Sequence, residues 1–260
     1  MKEKVIFFGN GPLAEAALWV LGGHFEIIYH AKNKADLEVV KKMKAEEPKA
    51  HGILASYGVM IKDDILKLFE PEGILNIHPS LLPKYRGASP IESAILAGDD
   101  DFSVSIMKLV RKMDAGPIYY QTTLKGLPLS KAEIYDALAT AGAEWIVKNI
   151  DSLPEPVEQI DTEATFTEKL DKTMGVIHPE SETAEEILRK IIAFQGFPKT
   201  KYVFFETNCI ILDAHICGPE EIVPLFLDCV DGKKLSIDTL QPEGRKPMDA
   251  KSFLNGYAKR

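Results

Sequence analysis

Cysteine is scarce in this chain, basic residues are the minority charge, and no apolar run is long. The three cysteines, Cys209, Cys217 and Cys229, form no CxxC pair, so neither a disulfide framework nor a zinc knuckle has support. A site built from the three thiols and His215 would match no common zinc spacing, and the thiols read as buried. No stretch approaches the ~20 apolar residues that span a bilayer. The opening "MKEK" leads only into "VIFF", which lacks the anatomy of a signal peptide, so a cytoplasmic protein is expected. Lys and Arg number 31 against 39 Asp and Glu, a net charge of −8, which argues against a nucleic-acid protein coated in positive charge. The deficit is uneven. Lys233–Arg260 carries seven basic against three acidic residues, or +4, leaving 24 minus 36, or −12, for residues 1–232. From charge alone, that basic stretch is a solvated surface around a terminal helix.

What is present suffices for a sizeable core. With 45% hydrophobic and 27% charged residues, the composition is that of an ordinary globular protein. A length of 260 residues suits one large and one small domain.

"KVIFFGNGPLAEAALWVL" reads as a buried strand, a glycine turn and a helix, and apolar strands then alternate with helices through "FEIIYH", "AHGILASYG" and "GILNIH". That alternation predicts a Rossmann-like, mostly parallel α/β sheet. Later runs "FSVSIMKLV" and "GPIYYQTTL" read as further strands, and "KAEIYDALATAGAEWIVKNI" as a long amphipathic helix. Beyond the proline-rich "DSLPEPVEQ", Thr183 and Glu186 have the spacing of a capping box. After "FPKT", four strand-like runs and a closing helix predict a small OB-like β-barrel. The expected division is a catalytic domain over 1–198 and a β domain over 199–260.

"GNGPLA" fits the glycine pattern of a dinucleotide site, but the second strand ends in His30 rather than an acid. A tight strand-to-helix turn is the favoured reading. "ILNIHPSLLPKYRG" is more informative. Alternation along a strand puts Asn76 and His78 on one face, and Pro79 stops the strand at the edge where parallel sheets bind ligands. Either the two side chains satisfy loop backbone groups or they act on a ligand. In "RKMDAGPIYY", Asp114 occupies a turn. If its strand is adjacent, Asp114 can meet His78, fixing the tautomer, while Asn76 offers an amide to an oxyanion. Those parts suit acyl transfer to an amine.

"NIHPSLLPKYRGASPIESAILAGD" with "MDAGPI" resembles the 10-formyltetrahydrofolate-dependent formyltransferases. The resemblance implies Asn76, His78 and Asp114 as catalytic residues. It also implies a folate cleft near Tyr57, Met60, Ser80, Leu81, Leu82 and Pro83, with 10-formyltetrahydrofolate as co-substrate and no metal. Arg86 either braces its loop or faces the substrate.

"ATFTEKL", which contains Lys169, and "LSIDTLQPEGRKPMDAKSFLNG" resemble the methionyl-tRNA formyltransferases in particular. Initiator methionyl-tRNA is thus the implied partner, with Lys233, Lys234, Arg245 and Lys246 as implied phosphate contacts. Two departures keep an alternative open. "IIYHAKNKADLEVV" passes straight into a helix with only Lys32 and Lys34, where those enzymes carry a basic insertion, and "IIAFQGFPKT" stands where the family tends to have Asn-Pro-Trp-Pro. N-formyltransferases acting on amino-sugar nucleotides share the Asn, His and Asp and also lack the insertion.

Overall fold

The structure is a computed structural model that describes residues 2–126 and 130–258. Lys259 and Arg260, two of the seven basic residues of the C-terminal stretch, lie outside the described residues. The chain divides into two compact units, Met1–Ile91 with Asp100–Glu168, and Glu92–Asp99 with Lys169–Arg260.

The first unit begins with β1 (Lys4–Gly9), whose Val5, Ile6, Phe7 and Phe8 are fully buried, as expected of a strand covered on both faces. Gly11 then turns at φ 86° and Pro12 opens α1 (Pro12–His24). Proline suits a first helical position, where its missing N–H has no intrahelical partner to lose. The glycine pattern is therefore a strand-to-helix turn in this fold. There follow β2 (Glu26–Ala31), α2 (Leu37–Glu46), β3 (His51–Ala55), α3 (Asp63–Leu66), β4 (Ile74–His78) and α4 (Pro90–Ala97), of which the residues from Glu92 on belong to the second unit. The run closes with β5 (Asp101–Lys108), β6 (Ile118–Lys125) and α5 (Lys131–Asn149).

The six strands order as β2-β1-β3-β4-β5-β6. The first four are parallel, whereas β5 and β6 join antiparallel. The mostly parallel sheet thus forms as expected. Its antiparallel side gives no signal in an apolar run, because burial is the same in either direction.

The second unit contains α6 (Ala184–Ala193), β7 (Thr200–Phe204), β8 (Thr207–Ile216), β9 (Phe226–Asp228), β10 (Lys234–Pro242), β11 (Met248–Asp249) and α7 (Ala250–Tyr257). Its strands form one curled antiparallel sheet, β11-β10-β8-β7 with β9 on β10. Register shifts between β8 and β10 near Ile237 and Thr239 supply the local bend that curls it. The Thr183–Glu186 capping box forms at the start of α6.

Apart from Glu92–Asp99, this unit runs from Lys169, so it takes in α6 as well as the strands beyond residue 199. Ile187 and Ile191 of α6 share a buried cluster with Leu235, Ile237 and Phe253. Amphipathic spacing shows that α6 buries one face but not which sheet receives it; in the structure that face packs against the curled sheet.

Candidate active site

All five residues of β4 are buried, Asn76 and His78 included. In the register with β5, Asn76 faces Met107 and His78 faces Ser105. The Asn76 carboxamide makes no hydrogen bond among the described residues, yet it is not sealed from solvent. A buried-strand amide with open donors is available to a ligand.

The connection between β5 and β6 brings Asp114 to His78, with Nδ1 3.7 Å from Oδ1. The other ring nitrogen, Nε2, lies 3.1 Å from the Tyr85 carbonyl oxygen. A carbonyl only accepts, so Nε2 carries the hydrogen and donates. Nδ1 is left facing the carboxylate.

Asp114 sits at φ 47°, a left-handed conformation unusual for a residue with a Cβ. Two neighbours bond to it there. The Gly87 N–H donates to its Oδ2 at 2.8 Å. Gln159 Nε2 donates to its carbonyl at 2.9 Å and to that of Gly116 at 2.7 Å. A Cβ at Gly116 would stand 1.9 Å from the Lys108 carbonyl, so the turn closes tightly only with glycine.

Arg86 is 1% exposed. Its Nε and Nη2 donate to Gln159 Oε1 at 3.0 and 2.7 Å, and Nη1 donates to Asp161 Oδ1 at 2.8 Å. Lys112 also pairs with Asp161. Hydrogen bonds from Lys112 and then Arg86 hold the Asp161 carboxyl below its usual range. Arg86 thus joins its loop to side chains of the 157–167 segment. Each of its three nitrogens donates to an internal acceptor.

The loop after β4 is tied down from below. Ser105 Oγ donates to the Ser80 carbonyl at 2.6 Å and accepts from Leu82 N–H at 3.1 Å. Gln121 Nε2 donates to the Leu82 carbonyl at 2.8 Å. Ser80 itself closes the loop by donating to the Lys84 carbonyl at 2.7 Å.

The residues expected near folate divide into two groups. Met60 and Leu81 are exposed, on loops leaving the same edge of the adjacent strands β3 and β4. Leu82 is buried under the loop, whereas Pro83 keeps partial access. Tyr57 is buried, packs edge-on against Phe8, and donates its hydroxyl to the Asn33 carbonyl at 2.6 Å. Burial, then the charge of Asp36, pushes that phenol up to about 12.

In the second unit Lys233 pairs with Glu185 at 2.7 Å, and Lys234 lies 4.2 Å over the Phe226 ring. Lys169, Arg245 and Lys246 are exposed.

The parts that sequence reasoning missed are Ser105, Gln121, Gln159 and Asp161. Nothing in "DSLPEPVEQIDTE" distinguishes Gln159 from an ordinary loop amide. Its role depends on which carbonyls lie opposite.

The sequence is similar to two family models, "Formyl transferase" over residues 10–150 and "Formyl transferase, C-terminal domain" over residues 169–258. A methionyl-tRNA formyltransferase of Granulibacter bethesdensis is 35% identical over 79% of this chain and 67% of its own length. One from Pelagibacter ubique is 31% identical over 86% of this chain and 74% of its own. Among solved structures, HypX from Aquifex aeolicus in complex with tetrahydrofolic acid aligns with a TM-score of 0.73 at 15% identity, covering 99% of this chain and 47% of that one. A methionyl-tRNA formyltransferase from Clostridium thermocellum aligns with a TM-score of 0.62 at 18% identity, covering 91% and 99%. At those identities the structural likeness speaks for the fold.

Proposed function

The chain belongs to the formyl transferase family, and from that membership we propose that it carries a formyl group from 10-formyltetrahydrofolate to the α-amine of methionyl-tRNA. The observation that carries this reading is the His78–Asp114 pair, 3.7 Å apart, on the strand that presents the open Asn76 carboxamide.

In this mechanism the acceptor amine attacks the formyl carbon and the carbonyl electrons move to oxygen. As the reacting group displaces the Tyr85 carbonyl, the ring hydrogen of His78 moves from Nε2 to Nδ1, where the Asp114 carboxylate accepts it, and the freed Nε2 lone pair takes the proton released by the amine. The Asn76 N–H and the imidazolium together stabilise the oxyanion, which is worth ~10²–10³ in rate per donor. When the carbonyl re-forms, the bond to N10 of the folate breaks and His78 returns its proton to that nitrogen. Proton transfer of this kind typically contributes ~10²–10⁴.

Met60 and Leu81 are exposed apolar side chains at the same strand edge, and with Pro83 they suit the flat ring system of a folate. Methionyl-tRNA is the acceptor favoured by the relatives' names, and the C-terminal stretch supplies Arg245 and Lys246 in exposed positions for phosphate.

A single-turnover assay with 10-formyltetrahydrofolate tests the acceptor, with charged initiator tRNA in one reaction and amino-sugar nucleotides in others. Formyl-methionine on the tRNA is the expected product. Transfer to a sugar alone would overturn the acceptor assignment while leaving the formyl chemistry in place.

A further inference from the structure

The segment between α5 and the second unit reads in the sequence as a loop rich in proline and acid. It is instead built into the first unit. Val157 and Ile118 exchange two backbone hydrogen bonds of 2.8 Å at the start of β6. Further on, Arg86 N–H donates to the Thr165 carbonyl and Thr167 N–H to the Arg86 carbonyl, at 2.9 and 2.8 Å. The strap therefore touches both loops that carry the reacting pair, the one after His78 and the one holding Asp114.

Gln159 lies between those two attachments. Its carboxamide makes four contacts: Nε2 donates to the carbonyls of Asp114 and Gly116, and Oε1 accepts twice from Arg86. Both donors and both acceptor sites of the amide are used. Only an amide fits this position, because carbonyls need donors on one side and the guanidinium needs an acceptor on the other. Asp114 itself is held at φ 47°, a strained backbone that persists only where its surroundings enforce it.

We infer that Gln159 is a positioning residue for the formyl transfer, fixing the carboxylate of Asp114 opposite His78 by clamping the carbonyls of Asp114 itself and of Gly116 and tying that turn to Arg86. The inference rests on the reading of Asp114 as the partner of His78. Gln159 touches neither substrate nor reacting atoms in this role.

Gln159→Glu separates the two halves of the clamp. The carboxylate keeps an acceptor for Arg86 but turns an anionic oxygen toward the carbonyls of Asp114 and Gly116. Displacement of a reacting group by about 1 Å can cost ~10²-fold, so kcat should fall by about that factor while KM for both substrates stays near the parent value. The same substitution in an Asp114→Asn background should cost nothing further, because the group it positions is already disabled.

Thermal unfolding and circular dichroism establish that the variants are folded. Should Gln159→Glu not fold, Gln159→Met, of similar length and without polar atoms, takes the same measurements. A kcat close to the parent's in a folded variant would overturn the inference, as would an undiminished loss in the Asp114→Asn background. The underlying reading fails differently. If Asp114→Asn alone retains the parent kcat, the pair is not catalytic, and the positioning role goes with it.

Discussion

His78 and Asp114 meet at 3.7 Å from opposite sides of β5, one at the end of β4 and the other in the turn that precedes β6. With Nε2 on the Tyr85 carbonyl, the imidazole has one settled hydrogen and one nitrogen turned to a carboxylate. That arrangement sets the first expectation. His78→Ala and Asp114→Asn should each lower kcat by ~10²–10⁴, and Asn76→Ala by ~10²–10³, with thermal midpoints near the parent value. Single-turnover formyl transfer is the measurement, and a His78→Ala variant retaining most of its kcat would refute the mechanism.

Arg86 should behave as a structural residue. Its guanidinium is buried and divided between Gln159 and Asp161, and Lys cannot reproduce the fork. Arg86→Lys is expected to destabilise the first unit by on the order of 3 kcal/mol, read from the midpoint of urea unfolding. An unchanged midpoint would mean that the brace is dispensable.

Ser105 is fully buried, and its hydroxyl joins Ser80, Leu82 and Gln121. Ser105→Ala leaves the Ser80 carbonyl and the Leu82 N–H without that partner, a loss of about 1–3 kcal/mol. Because those groups anchor the loop bearing Leu81, KM for the folate should rise more than KM for the acceptor. Steady-state titration of each substrate separates the two.

His215 lies between Asp238, at 2.6 Å from Nδ1, and Glu221, at 2.9 Å from Nε2. Hydrogen bonds first to Asp238 and then to Glu221 raise its pKa above the ordinary histidine value. A raised folded-state pKa contributes stability that is complete below the unfolded value of about 6.5 and is lost as pH rises through the higher folded value. The side chain is 44% exposed, so solvent keeps the effect modest. The thermal midpoint of the parent should exceed that of His215→Gln most clearly in mildly acidic buffer, with the gap closing at alkaline pH. A gap that widens with pH would contradict the pairing.

Strand and helix order was largely legible because burial leaves a periodic trace. Val5–Phe8 announce a strand covered on both faces, and Thr183 with Glu186 mark the start of α6 through local hydrogen bonds alone. Asn76 and His78 were visible for a related reason, since polar side chains ending an apolar strand demand an explanation. Arg86 was harder to place because its partners, Gln159 and Asp161, are remote in sequence and carry no pattern of their own.

The sequence by itself determined the elements, the shared face of Asn76 and His78, and the identity of the acid that could join them, because each of these depends on near neighbours along the chain. Tertiary structure alone decided that β5 runs antiparallel to both of its neighbours, β4 and β6, that α6 belongs to the second core, and that a proline-rich loop closes over the Asp114 turn. Those outcomes depend on which remote carbonyls, carboxylates and apolar faces come within contact distance, and no local spacing encodes that.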